Sequence, residues 1–185
     1  MEKKGKMNIE EIGKDMEQNL EEHLEKQLER VNSWLSFAEA KNVGLIAANI
    51  AMLAVIIGLF QEAPVFCVVA GIITLISCAL CLISFMPNLS SEVLSRKKQK
   101  YDSQKEYNLI YYKDIDEIGN VKTYVELISK KYYEGKASVS NKAKDLAVEV
   151  MVNSQITMNK YMWFGYALKV DLLAIACVII LFIVA

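Results

Sequence analysis

Residues 37–60 read FAEAKNVGLIAANIAMLAVIIGLF. From Val43 to Phe60 this run carries no charge. At 1.5 Å per residue it is close to the length of a hydrocarbon core about 30 Å thick. Two more runs share its character, residues 65–86 and 172–185. Between the first two lies only QEAP, residues 61–64, whose Glu62 is the one charge from residue 43 to residue 86.

The whole chain has 185 residues, 54% of them hydrophobic and 23% charged, with a mean hydropathy of +0.22. Such values coexist only if apolar and charged residues are segregated along the chain, as they are here. The length allows one domain, or a small domain plus membrane segments. The first apolar run begins behind about 40 strongly charged residues, too far from Met1 for a secretory signal. A retained first span is expected. The net charge of −1 gives no reason to expect a nucleic-acid partner.

Outward from residue 43 toward the N-terminus, Ile12, Met16, Leu20, Leu24, Leu28, Val31, Leu35 and Ala38 recur every three or four residues. The flanking residues are mostly Glu, Lys, Gln and Arg, without proline. One continuous helix from about residue 8 to about residue 60 is predicted, on the order of 80 Å long. Its apolar stripe must pack on another part of the chain or on another copy. Pro64 suits the first turn of the next helix, and Pro87 breaks that helix after residue 86. The gap is so short that the first two spans must form a hairpin.

Residues 89–106 read as a linker. They lead to YNLIYYKDIDEIGN, an aromatic and apolar cluster ending at Gly119, and then to an amphipathic helix carrying Val121, Tyr124, Leu127, Ile128 and Tyr132, closed by Gly135. From about residue 140, with Ser140 or Asn141 as N-cap, a second long helix is predicted to residue 185. Leu146, Val150, Ile156 or Thr157, and Tyr161 mark its apolar side.

The expected fold is therefore an all-α membrane protein with three transmembrane helices, two of which extend into a helical stalk and module. The boundaries are residues 1–42, an amphipathic helix; 43–86, a transmembrane hairpin (43–60 and 65–86); 87–165, a helical region; and 166–185, the third span. SRKKQK at 95–100, with Lys26, Arg30 and Lys41, flanks one side of the hairpin, whereas the turn holds no Lys or Arg. The positive-inside rule then places the N-terminus and residues 87–165 in the cytoplasm and the C-terminus outside. Aromatics of YMWFGY, 161–166, suit the interface, and Lys169 can snorkel to the headgroups.

No catalytic constellation is visible. His23, the only histidine, lies on a charged helix. Cys67, Cys78, Cys81 and Cys177 all fall in apolar runs, and Cys78 with Cys81 lacks the second pair a metal site needs. The chain is not expected to be an enzyme, nor to hold a metal or cofactor.

Polar groups within the spans are the informative exceptions. Asn49, mid-way along the first span, suits a hydrogen bond across a helix interface, within a protomer or between copies. Asp171, one or two turns into the third span, suits a pore lining or, alternatively, the headgroup zone. Gly44, Ala47, Ala48 and Ala51 permit close helix approach. Glu39 and Lys41 sit at the mouth of the first span and, two apart, do not face each other. Lys41 suits anionic headgroups, while Glu39 has no anchoring role and is a gating candidate.

Three blocks together carry a resemblance. WLSFAEAKNVGLIAANIAML, 34–53, offers Trp34, Ala38, Glu39 and Lys41 in a Trp-x₃-Ala-(Asp/Glu)-x-Lys entry into a span. NLIYYKDIDEIGNVKTYVELISKKY, 108–132, matches through Asp114, Ile115 and Tyr124. DLAVEVMVNSQITMNKYMWFGYAL, 145–168, matches through Asp145, Leu146, Asn153, Ile156, Lys160 and Tyr161. In this order between three apolar runs they resemble the transmembrane effector family of bacterial Pycsar anti-phage defence. The chain departs from that family at Tyr112–Lys113, where Phe-Gly is frequent, and at Glu39, where Asp is frequent.

The resemblance implies a location in the bacterial inner membrane and one ligand class, a cyclic pyrimidine nucleotide, cCMP or cUMP. A partner pyrimidine nucleotide cyclase would make it during infection, and the effector would then impair the membrane and abort infection. It also implies a homo-oligomer in the lipid bilayer. For the ligand, Tyr112, Lys113, Asp114, Lys122 and Tyr124 are the candidates: the lysines, with Lys130 and Lys131, for a phosphate, and the tyrosines, with Tyr111, for stacking on a base. The alternative is a membrane-anchored helical scaffold that binds a cytoplasmic partner protein; a holin-like pore former fits the large stalk poorly. The topology has a direct check. Alkaline phosphatase fused after Ala185 is expected to be active in the periplasm, and an inactive, cytoplasmic fusion would overturn the three-span assignment.

Overall fold

In the computed structural model the described residues are 9–86 and 101–184, with side chains described over 13–86 and 101–183. Five helices follow one another: α1 (Ile9–Gly58), α2 (Pro64–Ser84), α3 (Tyr112–Ile118), α4 (Val121–Tyr132) and α5 (Asn141–Val184). Among the described residues there is no strand. Helices α1, α2 and α5 are long and apolar enough to cross a membrane. The predicted Pro87 break, the linker residues 89–100 with their basic run at 95–100, and the side chain of Ile12 lie outside the described residues. The described chain packs as two compact units, Met1–Trp34 with Leu89–Met158 and Leu35–Asn88 with Asn159–Ala185.

The first unit buries the stripe read from the sequence. Leu20, Leu24 and Val31 of α1 pack with Ile115 and Ile118 of α3, with Tyr124, Val125 and Ile128 of α4, and with α5 through residues such as Ala147 and Val150. Each fully buried large aliphatic side chain contributes about 1.5–3 kcal/mol. Leu28 packs half-buried against this core, and Gln27 beside it is the more deeply buried of the two. Gln27 is buried because its Nε2 donates to Ile110 O (2.6 Å) and its Oε1 accepts from Arg30 Nη1 (2.7 Å). On α5 the fully buried positions are mostly small: Ala143, Ala147, Val150, Ser154 and Thr157. Of the alternatives Ile156 and Thr157, it is Thr157 that faces inward, with its hydroxyl donating to Asn153 O (2.7 Å).

α1 and α5 run parallel in this unit. Glu17 pairs with Ser138, Glu21 accepts from Ser140 Oγ (2.5 Å), and Asn32 accepts from Asn153 Nδ2 (2.8 Å), so both segments advance in the same direction. Local signals set the ends of the helices. Ser140 Oγ accepts from Ala143 N (3.0 Å) and caps α5. Asn120 Oδ1 does the same for α4 through Thr123 N (3.1 Å). Gly119 (φ 63°) and Gly135 (φ 74°) take the left-handed conformation that ends α3 and α4. Helix α3, seven residues long, falls inside the segment read from sequence only as an aromatic cluster.

Tyr124 sits at the centre of this core. It is fully buried, its hydroxyl donates to Leu109 O (3.1 Å), and burial pushes its pKa up. Removing only the hydroxyl in Tyr124→Phe leaves that carbonyl unpaired and is expected to cost about 1–2 kcal/mol. Tyr124→Ala is expected to cost about 3–5 kcal/mol. Thermal unfolding of the full chain in detergent should rank wild type above Phe above Ala. Equal midpoints would remove Tyr124 from the core.

Candidate functional site

Leaving aside Trp34 and residues before it, the second unit joins α1 from Leu35, all of α2, and α5 from Asn159. Its buried positions step by three and four. They are Ala38, Asn42, Leu45, Asn49 and Ile56 on α1, and Cys67, Ala70, Thr74, Ser77, Cys81 and Ser84 on α2. On α5 they are Ala167, Asp171, Ala174 and Leu181. This is the heptad spacing of a left-handed bundle. Large side chains turn outward instead: Ile50, Ile57, Val65, Ile72, Leu75, Leu172 and Ile183 are exposed. The unit is small and polar within and bulky and apolar without, as lipid requires.

Hydrogen bonds fix the register. Asn42 Nδ2 donates to Ser84 Oγ (3.0 Å), and Lys160 Nζ donates to Ser84 O (3.2 Å). One heptad on, Asn49 Nδ2 donates to Ser77 Oγ (3.1 Å), which itself donates to Ala167 O (3.1 Å). Ser77 thus ties all three helices. The pairings rise along α1 and α5 while they fall along α2, so α1 and α5 are parallel and α2 is antiparallel to both. Asn49 therefore finds its partner within its own chain.

At one end of this seam, Glu39 pairs with Lys160 (Oε1–Nζ 3.2 Å), whose side chain is only 12% exposed. Lys160 also lies over the Phe85 ring at 5.2 Å. Lys41 is separate from that pair. Its ammonium lies over Phe37 (4.6 Å), Tyr161 (5.3 Å) and Phe164 (5.7 Å), in an aromatic setting that favours a cation. Asp171 is buried inside the bundle on the Ala167–Ala174 side of α5, not out toward Lys169. Asn42 Oδ1, Asn49 Oδ1 and Asp171 Oδ1 have no hydrogen-bond partner among the described residues.

The ligand candidates of the first unit do not converge. Tyr124 is core, with no ring face open to a base. Tyr112 is half-buried against Tyr111 (4.7 Å) and Trp34 (5.3 Å). Asp114 accepts from Asn108 N (2.8 Å) and thereby holds the loop before α3. Lys113 is exposed, and Lys122, also exposed, lies 3.8 Å from Glu126. Of these five, only Lys122 lines the groove of about 470 Å³ between Val121, Val125, Val139 and Lys144. A second groove, about 570 Å³, is walled by Glu17, Glu21, Glu22 and Glu25. Lys142 bridges Glu21 (3.3 Å) and Glu25 (2.8 Å), which raises its own pKa. His23, half-buried against Tyr132 (5.1 Å), has its pKa lowered by burial and then by Arg30 and Lys26. Among the described residues no group of three or more His, Cys, Asp or Glu could hold a metal ion.

The sequence reading missed Asn42, Ser77, Ser84 and the partnership of Lys160 with Glu39. A signal was present: Asn42 and Asn49 are one heptad apart on α1, as are Ser84 and Ser77 on α2. Reversing either charge of the Glu39–Lys160 pair is expected to lower the unfolding midpoint of the full chain. The swap Glu39→Lys with Lys160→Glu should recover it, with a coupling of about 1 kcal/mol. Additive effects in the double-mutant cycle would show the pair to be uncoupled.

A family model described as PycTM, Pycsar effector protein domain, matches residues 23–185. No curated protein and no solved structure matches the chain.

Proposed function

Because the chain belongs to the Pycsar effector family over residues 23–185, we propose that it is the membrane-impairing arm of an anti-phage system, switched on by cCMP or cUMP. Membership and its three apolar helices make it a membrane protein of antiviral defence. The finer reading concerns what turns it on and what it does to the bilayer. The observation that carries it is the seam of the second unit: Asn, Ser, Thr and Asp side chains lie inside an otherwise apolar bundle. A plain anchor gains nothing from a buried carboxyl with an unpartnered oxygen, which is costly in hydrocarbon. A unit that must admit water on demand has a use for it.

In this reading the N-terminus and the first unit are cytoplasmic and meet the nucleotide made by a partner cyclase. The Lys122–Lys144 groove is the place for it, because its two ammonium groups outnumber the one carboxylate on its wall, Glu126, and suit a phosphate, while its valines suit a base. The acidic groove under Lys142 would repel an anion. Nucleotide binding then favours an open assembly of several copies only as far as that form binds it more tightly. Cells expressing the chain with a pyrimidine nucleotide cyclase are expected to take up propidium iodide, and cells expressing either protein alone are not. Sealed cells in every case would overturn the effector reading in favour of a membrane-anchored scaffold.

A further inference from the structure

The polar groups of the seam are confined to particular layers. Stepping by heptads from the hydrogen-bonded positions gives the order. The Asn42–Ser84–Lys160 layer comes first, followed by an apolar layer of Leu45, Cys81 and Phe164, which pack in one cluster. Next comes Asn49–Ser77–Ala167. Half a heptad further, the same register brings Met52 and Thr74 to the level of Asp171. Beyond them Ile56 and Ala70 pack in an apolar cluster with Leu181. A polar middle is therefore closed off by an apolar layer on each side.

In that middle Asp171 is 4% exposed, and Asn49 and Thr74 are fully buried. Asn49 Nδ2 is used by Ser77, which leaves its Oδ1 unpartnered, as is Asp171 Oδ1. Thr74 spends its proton on Ala70 O (2.9 Å), so its oxygen can only accept. Three acceptors thus gather within about 5 Å along the axis, half a heptad at 1.5 Å per residue. Among the described residues no cation pairs with Asp171. Lys160 lies three turns back on the same helix, about 16 Å away, and is paired with Glu39. The other titratable side chains along this part of the seam are thiols: Cys81 on α2, two layers from Asp171, and Cys67 and Cys177, which pack with Ile56 and Ala70. A set of oxygens with one carboxylate suits a monovalent cation, and it repels an anion.

We propose that the seam between α1, α2 and α5 of each chain is a path for monovalent cations, with Asp171 selecting for positive charge and the Asn49 and Thr74 oxygens beside it replacing part of the ion's hydration shell. The Leu45–Cys81–Phe164 layer and the layer of Ile56 and Ala70 keep it dry at rest, and slight separation of the helices wets it. Loss of membrane integrity then begins as a selective leak rather than as disruption of lipid. This rests on the effector reading above.

The test uses the purified full-length chain in planar bilayers of phosphatidylethanolamine and phosphatidylglycerol, under a tenfold KCl gradient, with cCMP or cUMP added. The wild-type current is expected to reverse near the potassium potential, about 59 mV for a tenfold ratio of a monovalent ion. Asp171→Asn keeps the shape and removes the charge, and its current should reverse near zero. Asp171→Glu, which keeps the charge, should reverse like wild type. A wild-type current that reverses near zero, or an Asn variant as selective as wild type, overturns the cation path and leaves the effector reading standing. Absence of any wild-type current with either nucleotide overturns both.

Discussion

Ser77 holds the membrane unit together, because its hydroxyl accepts from Asn49 and donates to Ala167 O and so reaches both neighbouring helices. Hydrocarbon offers no water to satisfy a polar group, so polar side chains in a span turn inward, toward one another and away from lipid. That constraint forces Asn42, Asn49, Ser84 and Ser77 onto one inward line and sends Ile, Leu, Val and Phe out to lipid. Each such hydrogen bond is modest, about 0.6 kcal/mol on average in a membrane. Its weight lies in register: a slip of one residue would strand Asn49 in lipid. Close approach comes from Ala70, Ala167 and Ala174, which leave room for neighbouring helices.

The first unit obeys the opposite rule. Water satisfies its surface, so large apolar side chains go inward and charges outward. Its polar contacts are mainly positional. Gln27 pins α1 to the loop before α3, and Ser140 caps α5 while touching Glu21. The same two helices, α1 and α5, supply residues to both units, and they change what faces inward as they pass from one to the other. On α1 the inward residues are Leu20, Leu24 and Val31 in the first unit and Asn42, Leu45 and Asn49 in the second.

Much of this was legible in the chain. The bounds of α1, Ile9–Gly58, follow the apolar stripe and its unbroken run into the first span. Those of α2 follow Pro64 at its start, and its end at Ser84 falls two residues short of the expected 86. Glycine at 119 and 135 marked two helix ends. The candidate site was less legible. Glu39 was singled out without its partner, since Lys160 lies far along the chain on another helix. Tyr124 matched a pattern that pointed to a ligand, yet its phenol is used in the core.

The sequence by itself determined the class, three apolar helices with charged extensions, because hydropathy and periodicity are local properties that a helix must obey wherever it packs. It also placed polar residues in the spans. Only the tertiary structure decided that Asn49 meets Ser77, that Glu39 meets Lys160, and that Asp171 lies inside the bundle. Those outcomes depend on how far α5 is advanced along α1 and α2. That register is set by side chains distant in sequence, acting together.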